Sequence, residues 1–443
     1  MRNLSLVNML ARAFLAGDPA VEQVFARASR LLGRRWRWLR PLVRRYVEAF
    51  AGRTRPQHRD VVRFLLQDSG FALARTKYFD QLSIQRWLTE PQQMQPVAAA
   101  ESWGVPAIES IGALADWLGL TPGELEWFAD LKGLAYKRKN CQQLRHYHYK
   151  VFTKRSGSMR LIESPKRRLK EMQRQILARI LDRIPCHHAV HGFCKGRSIK
   201  TFTASHVGQR VVLRMDLQDF FPSISGARVQ AFFRTAGYPE SVAGLMGGMC
   251  TNAAPRDAWN DAACPIDPRQ LREARALYSR PHLPQGAPTS PALANLCAYR
   301  IDCRLAGLAT SAGAQYTRYA DDLAFSGGPE FERRVERFSI HVAAILPEEG
   351  FTANHRKTRI MRQGVRQHLA GLVVNQRVNV SRAGFDSLKA ILTNCVRLGP
   401  ETQNLHRHPR FRAHLEGRVG FVEMINPGRG ERLRAILERI RWS

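Results

Sequence analysis

The sequence predicts an α+β protein, helical at both ends, with short antiparallel strands and further helices between them. Three observations carry this. Leu4, Val7, Leu10, Ala11 and Phe14 recur at helical spacing near the start. The run from Tyr316 to Gly328 suits a β-hairpin, with strand-forming Tyr316, Tyr319, Leu323, Ala324 and Phe325 flanking an Ala320-Asp321-Asp322 turn. The segment from Arg382 to Trp442 reads as mostly helical and basic.

The 443 residues leave room for several domains, and 44% apolar content makes the chain globular. Lys and Arg number 69 against 37 Asp and Glu, a net charge of +32. A chain this basic repels itself unless it meets a polyanion, and nucleic acid is the leading partner. An acidic membrane surface is the alternative, but no stretch approaches the ~20 apolar residues of a membrane span. Asn and Arg interrupt the first apolar run, which argues against a signal peptide. The eight cysteines (141, 186, 194, 250, 264, 297, 303 and 395) form no C-x-x-C pair, which fits reduced thiols in a cytoplasm. Cys186, His187, His188, His191 and Cys194 are spaced as zinc ligands can be, but no second half-site follows.

Residues 1–134 read as a basic helical extension. Within 31–59, Trp36, Trp38 and Tyr46 interleave with arginines. This stretch is either a nucleic-acid-binding helix with stacking aromatics or an amphipathic helix with core aromatics and a solvated arginine face. Ile108–Leu134 is a second helical block, with Thr121-Pro122 as cap and first turn. Residues 147–162 suit a basic hairpin carrying Lys150, Lys154, Arg155 and Arg160, and a helix follows with Leu169, Met172, Ile176 and Leu177 inward. Val211–Met215 is a short apolar strand ending at Asp216. A carboxylate there is costly unless paired or metal-bound. Leu283–Pro291 is a loop broken by proline and glycine, and His368–Asn379 suits another hairpin. At Asp321 and Asp322, a tight turn can aim both acids into one pocket. Ionised acids so placed need a cation, and hard oxygen ligands suit magnesium.

Taken in order, these segments resemble the bacterial retron-type reverse transcriptases over roughly residues 140–443. The motifs that carry the likeness are Arg160-Leu161-Ile162-Glu163-Ser164-Pro165-Lys166, His191-Gly192-Phe193-Cys194-Lys195-Gly196-Arg197-Ser198, Asp216 to Ile224, Leu283 to Pro291, and Tyr319-Ala320-Asp321-Asp322. The His-Gly-Phe run also accounts for the histidine cluster without zinc. The resemblance implies a right-hand polymerase: fingers at 135–205, palm at 206–378 with an insertion at about 227–284, and a helical thumb at 379–443. It implies RNA-directed DNA synthesis with two Mg2+ ions held by Asp216, Asp321, Asp322 and the Leu217 carbonyl. By the same likeness, Lys357 protonates the leaving group, and Arg160 and Lys166 grip the triphosphate. Phe221 excludes the sugar 2′-hydroxyl, and Gln285 and Gly286 approach the base pair. Arg197, Arg407, Arg410, Arg412 and Arg418 would contact nucleic acid. The partners implied are dNTPs, a cognate structured non-coding RNA and its RNA–DNA hybrid, with an effector protein as a further candidate. The location implied is the bacterial cytoplasm, and the biology is anti-phage defence.

Two departures from the retron pattern bear on which RNA is used. Leu369-Ala370-Gly371 stands where retron enzymes carry Val-Thr-Gly, and Asn252-Ala253-Ala254-Pro255-Arg256 lacks the histidine of Asn-Ala-x-x-His. The alternatives are a stand-alone defence-associated reverse transcriptase using another RNA, and a non-catalytic RNA-binding scaffold.

Overall fold

The computed structural model describes residues 2–51, 56–85, 93–137, 142–153, 159–260 and 267–442. Contacts divide the chain into two units, Met1–Pro185 with Phe221–Cys297, and Cys186–Phe220 with Ala298–Ser443.

The first unit opens with helices Arg2–Leu15, Val21–Leu31, Leu39–Ala49, His58–Gln67 and Ser69–Lys77. Their apolar faces share one core that includes Leu10, Phe14, Val24, Leu39, Leu42 and Phe71. Trp36 and Tyr46 lie in that core, and the Trp38 ring packs 5.5 Å from Phe71. The arginines between them face outward, Arg40 pairing with Glu22 and Arg45 with Asp68 at 2.7 Å. The basic stretch is therefore an amphipathic element with core aromatics. Trp36 and Tyr46 are not available to stack on bases. Helix Pro122–Ala129 begins as its sequence predicts, with Thr121 and Glu124 forming a capping box and Pro122 in the first turn.

Strands β1 (Tyr147–Thr153) and β2 (Met159–Pro165) form the expected hairpin, with Lys150 opposite Ile162. Its tip, with Lys154 and Arg155, lies outside the described residues. Helix Arg167–Arg179 buries Leu169, Met172 and Ile176. Gln173, also buried, donates to the Tyr147 hydroxyl at 3.0 Å and the Met249 carbonyl at 2.8 Å. That amide ties the helix to β1 and to helix Glu240–Cys250.

The second unit is built on an antiparallel sheet of β3 (Val211–Asp216), β4 (Ala314–Tyr319), β5 (Asp322–Gly327) and β6 (Arg359–Arg362), in the order β4-β5-β3-β6. β3 is central and buried at all positions but Arg214, so it reads as an apolar run and not as an alternating strand. Its neighbours are helix Pro329–Glu348 and a cluster containing Phe202, Val212, Ala324 and Met361. The expected hairpin at 368–379 is a three-stranded sheet: β7 (His368–Leu369) turns at Ala370-Gly371 into β8 (Leu372–Val373), which pairs with β9 (Asn379–Val380). Helices Arg382–Leu398, Phe411–Ile425 and Pro427–Leu437 share a core of Leu388, Leu392, Leu415, Val419 and Leu433. Among the described residues no helix is long and apolar enough to cross a membrane.

Buried His206 joins two strands of this sheet. The Thr317 hydroxyl proton goes to the Phe202 carbonyl, so its oxygen accepts from His206 Nε2 at 2.7 Å, and Nδ1 accepts from Ser326 Oγ at 2.7 Å. Burial pushes this imidazole down to about 3. His191, pushed down to about 4 by burial and then by the Arg197 charge, acts in the same direction. A depressed histidine adds stability above its unfolded value that is lost as pH falls toward its folded one. Unfolding free energy should therefore drop as pH falls below about 6.5, by up to ~1.4 kcal/mol per unit for each such group. His206→Gln should flatten that slope by about one proton, as read by denaturant titrations at pH 7, 6 and 5.

Candidate active site

Asp216 ends β3 and Asp322 begins β5, and the two are direct partners across that ladder. Residues opposed on an antiparallel pair share a face. Asp321 sits on the two-residue turn between β4 and β5, where Tyr319 pairs with Asp322. Such hairpin turns need positive φ, usually from glycine or asparagine, and here Ala320 supplies it at +56°. The Leu217 amide donates to the Asp321 carbonyl at 2.8 Å, which ties the turn to the end of β3.

Segment 352–357 runs alongside. Asn354 N donates to the Asp216 carbonyl at 2.7 Å and Gln218 N to the Thr352 carbonyl at 2.8 Å, around a bridge between Leu217 and Ala353. These two bonds leave the Leu217 carbonyl out of the bridge. They also deliver Lys357, whose Nζ donates to both Asp216 oxygens at 3.0 and 2.8 Å. Arg214, two residues before Asp216 on the same strand, donates Nε and Nη2 to Asp322 Oδ1 at 2.9 and 2.7 Å. Asp322 is thus neutralised by protein. Burial raises the Asp321 carboxyl above its usual range, and the charges of Asp216 and Asp322 raise it further. Burial raises Asp322 too, against the pull of Arg214.

Among the described residues no group of three or more Asp, Glu, His or Cys is arranged to hold a metal ion by itself, neither at 186–194 nor at the three acids. Asp216 and Asp321 remain, two repelling carboxylates beside a backbone carbonyl. That donor set fits magnesium, which is held by one or two carboxylates together with substrate phosphates.

A second feature lies within the first unit. A cavity of about 410 Å³ is lined by Arg160, Ile162, Lys170, Arg174, Phe221, Gln285 and Gly286 among others. Four of the five residues expected to handle nucleotide are thus brought together. Lys166 is the exception. It occupies the cap position ahead of helix Arg167–Arg179 and does not line the cavity. Lys170 and Arg174 stand there instead, one helical turn apart. Their signal was present in the sequence as cations at i and i+4 on the face opposite Leu169, Met172 and Ile176.

Beneath the cavity, fully buried Glu163 accepts from Asn252 Nδ2 at 2.8 Å and bonds His282 Nε2 at 2.8 Å. The Glu163 amide donates to the Gln285 carbonyl at 2.8 Å. Gly286 has φ +128°, and a Cβ there would come within 2.9 Å of the Glu163 carbonyl oxygen. Asn252, the residue of the altered Asn-Ala element, therefore belongs to the network that holds the Gln285-Gly286 loop.

Arg197 Nη1 donates to the carbonyls of His187, His188 and Val190, which braces that loop. Arg407 and Arg410 are exposed, Arg418 is half-buried, and Arg412 shares its charge with Glu416 at 2.9 Å.

The reverse transcriptase (RNA-dependent DNA polymerase) family matches residues 152–377. Retron Mx65 reverse transcriptase of Myxococcus xanthus is 38% identical over 334 residues, covering 75% of this chain and 72% of that protein. Retron Mx162 reverse transcriptase of the same organism is 35% identical over 357 residues, 77% of this chain and 69% of that one. Retron Ec86 reverse transcriptase of Escherichia coli is 32% identical over 249 residues, 55% of this chain and 69% of that one.

The raised Asp321 carboxyl has a stability consequence. A carboxyl whose folded value lies above its unfolded one adds stability at low pH that is lost as pH rises through the folded value. Asp321→Asn should therefore raise the melting temperature of the metal-free protein at pH 7. Scanning calorimetry should find the gain shrinking as pH falls through the raised folded value and gone below the ordinary carboxylate range.

Proposed function

The chain belongs to the retron-type reverse transcriptases and is an RNA-directed DNA polymerase, and from that premise we propose that it copies part of a cognate structured non-coding RNA into DNA by two-metal nucleotidyl transfer. The observation that supports this best is the donor set of Asp216, Asp321 and the Leu217 carbonyl, with Lys357 on Asp216 and Arg214 on Asp322. Mixed helices and sheets fit the right-hand polymerase fold of the family. In our reading, palm residues carry the carboxylates, fingers residues the nucleotide contacts, and the three C-terminal helices are the thumb.

Bound magnesium would lower the pKa of a primer hydroxyl and neutralise the triphosphate and the departing pyrophosphate. The chain's own groups do the rest by position and charge. Asp216 and Asp321 are the ligands, and Asp322, occupied by Arg214, assists through its charge. Lys357 pairs with Asp216, and its Nζ is the proton donor to the leaving group. Arg160, Lys170 and Arg174 take the triphosphate, and Gln285 and Gly286 meet the base pair with backbone. Phe221, five residues after Asp216, is the ring that excludes a ribose 2′-hydroxyl. Exposed Arg407 and Arg410, with Arg412 and Arg418, meet the RNA or hybrid backbone. A cytoplasmic location and a role in anti-phage defence complete the proposal. The departures at Leu369-Ala370-Gly371 and Asn252–Arg256 favour one second reading, a stand-alone defence enzyme with a different RNA.

Purification from the native host, followed by sequencing of the bound nucleic acid after RNase or DNase treatment, tests the retron reading. A short DNA joined to a structured RNA is expected. RNA without attached DNA would shift the assignment to the stand-alone enzyme. In RNA-templated synthesis, Asp321→Ala should cut Mg2+-dependent dNTP incorporation by about a hundredfold or more. Phe221→Ala should lower the preference for dNTP over NTP by about 10–100-fold, as read by competing kcat/KM values.

A further inference from the structure

We propose that Arg318 is a positioning residue for the metal-binding carboxylates: through Asp302, Ala320 and Phe220 its guanidinium sets the spacing between the segments that carry Asp216 and Asp321. The inference rests on the metal-dependent reading above and names how that site is held.

Arg318 is a fully buried side chain on β4, three residues before Asp321. Its Nε and Nη2 donate to the two oxygens of Asp302 on helix Tyr299–Ser311, each at 2.7 Å. The Tyr316 hydroxyl donates to Asp302 Oδ1 at 2.8 Å, and Asp302 is itself fully buried. A buried ion pair is a poor device for stability alone, because desolvation offsets most of the attraction and an apolar pair of similar volume packs as well. An apolar pair cannot, however, give a donor to a backbone carbonyl. Arg318 Nη1 does so, to the Ala320 carbonyl at 3.1 Å.

Ala320 is the residue that needs such a hold. A non-glycine residue at φ +56° is strained, and nothing in its own side chain offsets that. The neighbouring loop closes the other side. Arg318 N donates to the Ala189 carbonyl at 2.8 Å, and His191 N donates to the Arg318 carbonyl at 2.7 Å. Gly192 lies so close that a Cβ would stand 2.6 Å from Ala320 N. The Arg318 guanidinium carbon also stands 5.5 Å from the Phe220 ring, four residues past Asp216. One buried cation thus touches both the turn that bears Asp321 and the segment leaving Asp216. The geometry of the metal ligands passes through it.

The test uses the full chain as wild type, Arg318→Lys, Tyr316→Phe and Asp321→Ala, with Mn2+ binding read by electron paramagnetic resonance and folding by circular dichroism. Lysine keeps the charge but not the fork that spans Asp302 and Ala320. Folded Arg318→Lys should bind Mn2+ about tenfold or more weakly, as loss of a ligand-orienting partner does. It should also need correspondingly more Mg2+ for half-maximal dNTP incorporation, with the dNTP KM unchanged at saturating metal. Tyr316→Phe, which only loosens Asp302, should shift both in the same direction by less. Wild-type Mn2+ affinity in folded Arg318→Lys overturns the proposal. Should that variant fail to fold, unchanged affinity in Tyr316→Phe overturns it. A wild type that binds Mn2+ at Asp321 but makes no DNA on RNA overturns the functional reading and leaves this one standing.

Discussion

Asp216 and Asp322 face each other across β3 and β5, with Asp321 beside them on the turn, and the rest of this unit offsets the repulsion among those three charges. Burial makes the offset harder, since desolvation already disfavours the ionised forms of Asp321 and Asp322. Two cations answer within the protein: Lys357 lies on Asp216, and Arg214 on Asp322. Among the described residues Asp321 has no ion-pair partner of that kind, and its proton affinity is raised by burial and by the charges of Asp216 and Asp322.

Backbone geometry is recruited to the same end. The two-residue turn that aims Asp321 requires a positive φ, and an alanine adopts it under load from both sides. A glycine would relax the turn but also widen what the chain samples there. An alanine held by a buried arginine and a close-packed loop costs local strain and leaves one conformation. Around the cavity lined by Arg160, Phe221 and Gln285 the logic is parallel. Glu163 is buried with its lone pairs filled by Asn252 and His282, and its strand backbone grips the Gln285-Gly286 loop. In both places a buried polar side chain is held by hydrogen bonds on one side while the same residue or its neighbour bonds a turn or loop on the other.

Much of this was legible in the chain as written. The hairpin Tyr316–Gly328, the apolar strand Val211–Asp216 and the basic hairpin at 147–162 announce themselves through alternation, turn residues and β-branched runs, which are local properties. Asp216, Asp321 and Lys357 were marked by motif and order. Other residues were misjudged or unseen because burial is not local. The arginines of 31–59 look like a nucleic-acid helix until Trp36 and Tyr46 are found in the core. That Arg197 Nη1 braces the carbonyls of 187–190 likewise shows only in the folded loop.

Sequence by itself determined the class of chemistry, because the carboxylates, the bases around them and the Gly-containing loop must be encoded as residue types in a fixed order. It also marked the hairpins at 147–162 and 316–328 and the strand at 211–216, since alternation, apolar runs and turn residues are local, while the third strand beside 368–373 was not marked. Tertiary structure alone decided which of many cations serve. Lys170 and Arg174 line the cavity beside Arg160, Phe221, Gln285 and Gly286, and Arg318 is buried against Asp302 and turned onto Ala320. The physical reason is that a cation's role depends on its partner's distance and on the water it has lost. Residues 16 and 141 positions apart in the chain, Asp302 to Arg318 and Asp216 to Lys357, become partners only when the chain has folded.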